Sequence, residues 1–291
     1  MKRFFAGAAA ALLAAALFLP LKGRAVSAQK AILIDAVSGR VIYEKDADCR
    51  SLIASTTKIM TALIVCEQCN VLDRMRIPKE AVGIEGSSMY LQEGEVLTIQ
   101  ELLYGLMLHS GNDAAVALAE HVAGSEEAFV EKMNARASEL GMKNTCFENT
   151  NGLDDTVTKH LTSARDIALM SRELIKHEKI LKYSSIWMDT IRNGEFGLTN
   201  TNRLVRFYNG ATGLKTGSTA KAKFCVSATA KRGNMHLICV IMGAETRDER
   251  NAMATKLLDY GFANYESYVV AKKGQCQKKY KVDKATPEKV A

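Results

Sequence analysis

Apolar residues recur along this chain with periods that change from segment to segment. Lys30-Ala-Ile-Leu-Ile-Asp35 and Val41-Ile-Tyr-Glu44 are short aliphatic runs separated by Ser38-Gly39, which predicts a β-hairpin. Ser55-Thr-Thr-Lys58 then leads into Ile59, Met60, Ala62, Leu63, Ile64 and Val65, apolar on nearly all sides. Such a run predicts a helix in the centre of a domain. Pro78, Gly83, Gly86 and Gly94 break residues 70–98 into short strands and loops. Spacing near 3.6 predicts helices over 99–109, 113–123, 125–140 and 163–176, with Ser125 and either Thr162 or Ser163 as caps and Gly141 as a stop. Beyond Ile191 the pattern is extended through Lys215-Thr216-Gly217. Strands over 224–230 and 235–242 follow, joined by a turn at Lys231-Arg232-Gly233-Asn234, and then a helix over 248–260 ended by Gly261. A hairpin at each end of a helical middle predicts an α/β (α+β) fold. Its antiparallel sheet is built from the N- and C-terminal segments and flanked by helices. No internal repeat is visible.

With 291 residues, 47% hydrophobic and 24% charged, the chain can build one large core or two modest ones, and disorder is excluded. The first residues stand apart. Met1-Lys2-Arg3 precedes an apolar segment from Phe4 to Leu19, and Ala25-Val26-Ser27-Ala28 supplies small residues for a cut after Ala28. This reads as a secretory signal peptide over 1–28, since the apolar run is short for a membrane anchor. Removing Lys2, Arg3, Lys22 and Arg24 lowers the formal charge from +7 to +3. No nucleic-acid partner is implied. The basic residues Lys272, Lys273, Lys278, Lys279 and Lys281 read as a solvated edge. Seven cysteines are too irregular for a disulfide framework. Cys66-x-x-Cys69 could suggest redox or zinc chemistry. No second pair has ligand spacing, so small buried hydrophobes explain these thiols better, and no cofactor or metal is implied.

Ser55 and Lys58 lie one helical turn apart, which can put a hydroxyl against an amine: a nucleophile beside a base. The spacing alone is weak. Ser27/Lys30 and Ser218/Lys221 share it, and Ser55 is also a plausible N-cap. Ser110-Gly111-Asn112, the sole Ser-x-Asn of the sequence, falls between two predicted helices. A turn there can aim a hydroxyl and a carboxamide into a cleft, one to relay a proton and one to bind a substrate amide. Lys215-Thr216-Gly217 can supply a cation and a hydroxyl for a carboxylate, with a glycine that admits substrate backbone.

In this order the three motifs form the Ser-x-x-Lys, Ser-x-Asn and Lys-Thr-Gly set of β-lactamases and penicillin-binding proteins. With Gly111 in the middle motif, the chain resembles the low-molecular-mass penicillin-binding proteins that act as serine D-alanyl-D-alanine carboxypeptidases. Ala54-Ser-Thr-Thr-Lys-Ile-Met-Thr-Ala62, His109-Ser-Gly-Asn-Asp-Ala-Ala115, Asn151-Gly-Leu-Asp154, Asn200-Thr-Asn202, Gly213-Leu-Lys-Thr-Gly217 and Leu257-Leu-Asp-Tyr-Gly-Phe262 carry the likeness.

The resemblance implies that Ser55 attacks the carbonyl between the last two D-alanines of a peptidoglycan stem peptide, and that Lys58 takes its proton. It implies further that Ser110 relays the proton to the leaving amine and that Asn112 holds the peptide. Lys215 and Thr216 would bind the terminal carboxylate, and Gly217 would let the substrate backbone approach. The N–H groups of Ser55 and Ser218 would hold the oxyanion, and Arg250 is a further carboxylate ligand. β-Lactam antibiotics would be covalent inhibitors, and an extracytoplasmic, cell-envelope location follows. The alternatives are a penicillin-reactive sensor without turnover and a β-lactamase. The latter needs a water-activating glutamate, which Glu195 does not supply.

Two departures from the family stand out. Lys223 occupies a position where relatives usually carry glycine. The catalytic domain is expected over 29–263. Residues 264–291, with a strand over 265–270, read as a remnant or start of a small C-terminal β module, so membrane association is possible without being implied.

Overall fold

The computed structural model describes residues 28–268. Apart from Ala28, the leader expected over 1–28 lies outside the described residues, as do residues 269–291 with their basic cluster.

Asp35 starts the architecture by closing a turn. Its Oδ1 accepts from the Ser38 N–H at 2.7 Å and from Ser38 Oγ at 2.6 Å, and Gly39 takes φ +76°. Strand β1 (Lys30–Asp35) therefore folds straight back into β2 (Val41–Lys45). A short β3 (Ser51–Leu52) leads to a 3₁₀ turn at Ala54–Thr57 and then α1 (Lys58–Gln68). Strands β4 (Arg74–Arg76) and β5 (Val96–Thr98) pair with each other before α2 (Ile99–Tyr104), which opens with a reciprocal Thr98–Glu101 capping box. The helix expected over 99–109 changes character after Tyr104. Gly105–His109 widens into a π turn, and Met89 fills the space at Gly105, where a Cβ would lie 1.8 Å from its sulfur.

Helix α3 (Asn112–Ala123) follows, then α4 (Glu126–Glu139), with the Ser125 side chain capping the Ala128 N–H as expected. After β6 (Leu161–Thr162) comes α5 (Ala164–Leu174), capped by Ser163. Short elements that the apolar pattern does not announce come next: α6 (Glu178–Ser184), the pair β7 (Met188–Ile191) and β8 (Phe196–Thr199), and α7 (Leu204–Phe207). The chain then runs through β9 (Ala211–Thr219), β10 (Lys223–Arg232) and β11 (Met235–Ala244) into α8 (Arg247–Asn264).

Five strands form one sheet in the order β2-β1-β11-β10-β9, so the two ends of the chain share it, as expected for this fold class. Adjacent strands are antiparallel, with Lys30 opposite Met242 and Ser227 opposite Lys215. Both faces are covered, which is why β1 and β11 are apolar almost without alternation. Ile32, Ile34, Ile238 and Val240 face the core under α1, α3 and α5. Leu33, Leu237, Cys239 and Ile241 face Met253, Ala254, Leu257 and Leu258 of α8. A sheet sandwiched this way holds its β9 edge rigidly against the turn that carries Ser55.

Gly261 does not stop α8, which runs on to Asn264; the residue is small because a Cβ there would sit 2.6 Å from Leu237 Cδ1 and 3.1 Å from Leu33 Cδ2. Lys223, in the glycine position, adopts φ +57° and pairs its amine with Glu245, so the turn form persists with a side chain present. Tyr265–Tyr268 carry no strand, and the rest of the strand expected over 265–270 lies outside the described residues. The six described cysteines, Cys66 and Cys69 included, are free thiols. Burial pushes the Cys66 thiol up to about 12, consistent with a packing role. Gly261→Leu should overpack the α8–sheet interface and lower unfolding free energy by about 1–3 kcal/mol in urea titrations. Unchanged stability would contradict the packing described for α8.

Candidate active site

Ser55 sits in the 3₁₀ turn rather than at the head of an α-helix, and its side chain caps no backbone group. The turn is tight for local reasons. Ala54 has φ +49°, Thr56 Oγ1 donates to Ile53 O at 2.5 Å, and Thr57 Oγ1 donates to Ala54 O at 2.9 Å. A non-glycine residue in this region costs energy that the surroundings must supply. His160 supplies part of it. Its Nδ1 accepts from the Glu148 N–H at 2.9 Å, which leaves Nε2–H to donate to Thr57 Oγ1 at 2.8 Å. Burial lowers the His160 pKa to about 4, so the neutral ring persists at neutral pH. Gly152 supplies space, since a Cβ at that position would lie 1.9 Å from Ala54 O.

Lys58, the first residue of α1, is fully buried. Its Nζ lies 2.9 Å from Ser55 Oγ, 2.6 Å from Asn112 Oδ1 and 2.7 Å from the Asn151 carbonyl oxygen. A carboxamide oxygen and a backbone carbonyl can only accept, so they take two N–H bonds. If the amine is neutral, its lone pair is left for the Ser55 hydroxyl proton. Burial first, and then the charge of Lys215, hold the Lys58 pKa well below the ordinary lysine value against a smaller opposing pull from Asp113.

Asn112, expected on the substrate, also has partners within the protein. Its Oδ1 accepts from Lys58 Nζ at 2.6 Å and one N–H of its Nδ2 donates to Glu85 O at 2.6 Å. Asp113 beside it is buried and clamps the preceding loop, accepting from Ser88 Oγ at 2.6 Å and from the N–H groups of Met89 at 2.8 Å and Leu91 at 3.2 Å. Ser110 lies at the end of the π turn with φ +67°, a conformation that turns its side chain toward the cleft it lines.

The β9 edge forms the facing wall. Gly217 passes so close to the Ser55 turn that a Cβ would sit 2.8 Å from the Ser55 nitrogen and 2.9 Å from the Thr56 nitrogen. Thr216 Oγ1 donates to Thr201 Oγ1 at 2.7 Å. Lys215 is fully buried behind this wall and donates to Thr216 O at 2.9 Å; burial first, and then Arg250, lower its pKa to about 7. Arg250, held by Asn251 Oδ1 at 2.9 Å, is itself pushed down to about 10 by burial and then by Arg247.

Ser55, Ser110, Thr216, Gly217, Ser218 and Arg250 line one cleft of about 680 Å³, with Lys58, Asn112 and Lys215 just behind its surface. No Asp or Glu lines it, and Glu195 is exposed elsewhere. Among the described residues no cluster has the donors of a metal site. The Asn151 and Glu85 carbonyls, Gly152 and Asp113 escape a motif search because they act through backbone position or burial. Of these, Asn151 and Gly152 fall in the Asn151-Gly-Leu-Asp154 text and Asp113 in the His109-Ser-Gly-Asn-Asp-Ala-Ala115 text, while nothing pointed to Glu85.

The depressed Lys215 pKa sets a stability slope. Between about 7 and the ordinary value of 10.5 the unfolded chain binds the extra proton, so unfolding free energy should rise with pH across that window. Lys215→Met should flatten this rise in urea titrations at stepped pH, and an identical slope in the variant would contradict the assignment.

Known proteins resemble this chain in sequence and in fold. The family model described as D-alanyl-D-alanine carboxypeptidase, peptidase S11, matches residues 19–246. The D-alanyl-D-alanine carboxypeptidase DacF of Bacillus subtilis is 45% identical over 265 residues, 88% of this chain and 68% of that protein. DacC of Escherichia coli is 37% identical over 254 residues, 83% of this chain and 63% of that protein. The chain thus spans about two thirds of the length of these relatives. Penicillin binding protein 6B from Escherichia coli superposes with a TM-score of 0.78 at 33% identity, covering 85% of this chain and 80% of that one. A mutant of a Streptomyces DD-transpeptidase gives a TM-score of 0.75 at 31% identity, covering 82% of this chain and 99% of that one. With its buried lysine against a serine and a Lys-Thr-Gly strand facing both, this chain belongs to the serine D-alanyl-D-alanine carboxypeptidase family.

Proposed function

We propose that this carboxypeptidase removes the terminal D-alanine of peptidoglycan stem pentapeptides through an ester on Ser55. The observation that carries the reading is the set of three partners around Lys58 Nζ, two of which can only accept. Neutral Lys58 takes the Ser55 proton as Oγ attacks the carbonyl carbon between the two D-alanines. The developing oxyanion is held by the N–H groups of Ser55 and Ser218 across the narrow gap at Gly217, a contribution of a few kcal/mol in such sites. The proton passes from Lys58 through Ser110 to the leaving nitrogen, the C–N bond breaks, and D-alanine departs. Lys58 is then neutral again and is available to activate the water that hydrolyses the ester.

Lys215, Thr216 and Arg250 hold the terminal carboxylate, and the charge of Lys215 adds to burial in holding the Lys58 pKa down. Asn112 positions Lys58 by holding its amine on the serine. β-Lactams, which present an acylating carbonyl and a carboxylate, acylate Ser55 covalently by the same route. The leader over 1–28 directs export, placing residues 29–263 as the catalytic domain in the cell envelope.

D-Alanine release from a stem pentapeptide should be seen with residues 29–291, be blocked by penicillin, and vanish in Ser55→Ala together with penicillin labelling. Labelling retained in that variant would remove Ser55 from the nucleophile role. Lys58→Arg keeps a cation that cannot become neutral, so it should fold and lose acylation by orders of magnitude. Normal turnover there would place the base elsewhere.

A further inference from the structure

The cleft carries more positive charge than one terminal carboxylate can use. Arg203, Arg247 and Arg250 line it together, and no acidic side chain does. Arg250 feels the charge of both others, Arg247 more than Arg203, so the three guanidinium groups share one neighbourhood. Arg203 and Arg247 are exposed, and neither has an ion-pair partner among the described residues. Trp187 lines the same cleft, and its indole Nε1–H is the buried side-chain donor without an acceptor among the described residues.

The surrounding wall is ordered by aromatic contacts. Phe207, 72% exposed, packs beside Trp187 with ring centroids 6.3 Å apart. The Arg206 guanidinium lies over both rings, 5.4 Å from one centroid and 5.5 Å from the other. Every side-chain polar group that Arg203 and Arg247 offer to the cleft is a donor, which selects an acceptor-rich, anionic ligand group over a neutral or cationic one.

We propose that Arg203 and Arg247, beside Trp187, form a second carboxylate site in the cleft, so that the enzyme accepts stem peptides whose leaving residue is D-glutamate or D-aspartate. The inference rests on Lys215, Thr216 and Arg250 holding the terminal carboxylate. Because Arg203 and Arg247 line the same cleft as Arg250, the second anion would lie beside the first, on the same leaving residue. Its aliphatic stem would pack along Phe207.

The test compares two peptides alike except at the last residue, one ending in D-Ala-D-Glu and the other in D-Ala-D-Gln. The wild type should prefer the acidic peptide in kcat/KM by about tenfold or more, the scale of a charge-assisted hydrogen bond. In the doubly substituted Arg203→Gln, Arg247→Gln protein that ratio should fall to about one. Both arginines are exposed, and circular dichroism checks the fold. A wild-type ratio near one, or a ratio that the double variant keeps, would overturn the proposal. Parallel loss on both peptides with the ratio kept would show general steering and overturn it equally. Calorimetric binding of both uncleaved peptides to Ser55→Ala, with and without the arginine substitutions, reads the same ratio without turnover. Failure to release D-alanine would thus count against the carboxypeptidase reading, while the binding ratio still decides the second site.

Discussion

Lys58 has no contact with solvent, and its amine must find every partner inside the protein. An unpaired charge in that place would cost several kcal/mol, so the fold is constrained to bring acceptors to it or to leave it neutral. It does both. The Ser55 turn, the head of α3 and the Asn151 loop converge on one nitrogen from distant parts of the sequence. Burial and the second cation at Lys215 meanwhile push the Lys58 pKa well below the ordinary lysine value. In the neutral amine these conditions leave a lone pair directed at a hydroxyl.

The surrounding structure serves to keep those parts in place. The sheet is covered on both faces, so β9 is a stiff edge, and only glycine at 217 lets it pass close to the Ser55 turn. The turn is held in its unfavourable conformation by Thr57, His160 and the space above Gly152. Asp113 fixes the loop whose Glu85 carbonyl orients Asn112. Positive φ at Ala54 and at Ser110 marks the two places where the backbone is bent to present side chains to the cleft.

Much of this was legible beforehand, and the limits have physical causes. The terminal hairpins and the capped helices α4 and α5 follow from local apolar period and cap chemistry, which the sequence states directly. The triple motif placed Ser55, Lys58, Ser110 and Lys215 together because each residue type is chemically distinctive. The start of α1 was misjudged because Ala54 and Thr56 impose a 3₁₀ turn through contacts that spacing does not encode. Gly261 looked like a stop signal, yet its smallness answers to Leu237 and Leu33 across the interface. The Asn151 carbonyl could not have been found from residue type, since every residue has one. Arg203, Arg247 and Trp187 belong to no motif, and only folding puts them in one cleft.

The central claim is that Lys58 is held neutral beside Ser55, and ¹⁵N nuclear magnetic resonance of the Lys58 side-chain nitrogen tests it most directly. Spectra of lysine-labelled protein, assigned with Lys58→Arg, would be followed across a pH series. The account predicts a Lys58 midpoint well below that of the exposed lysines, moving upward in Lys215→Met as the neighbouring charge is removed. A midpoint coinciding with the exposed lysines, unaffected by that substitution, would contradict it.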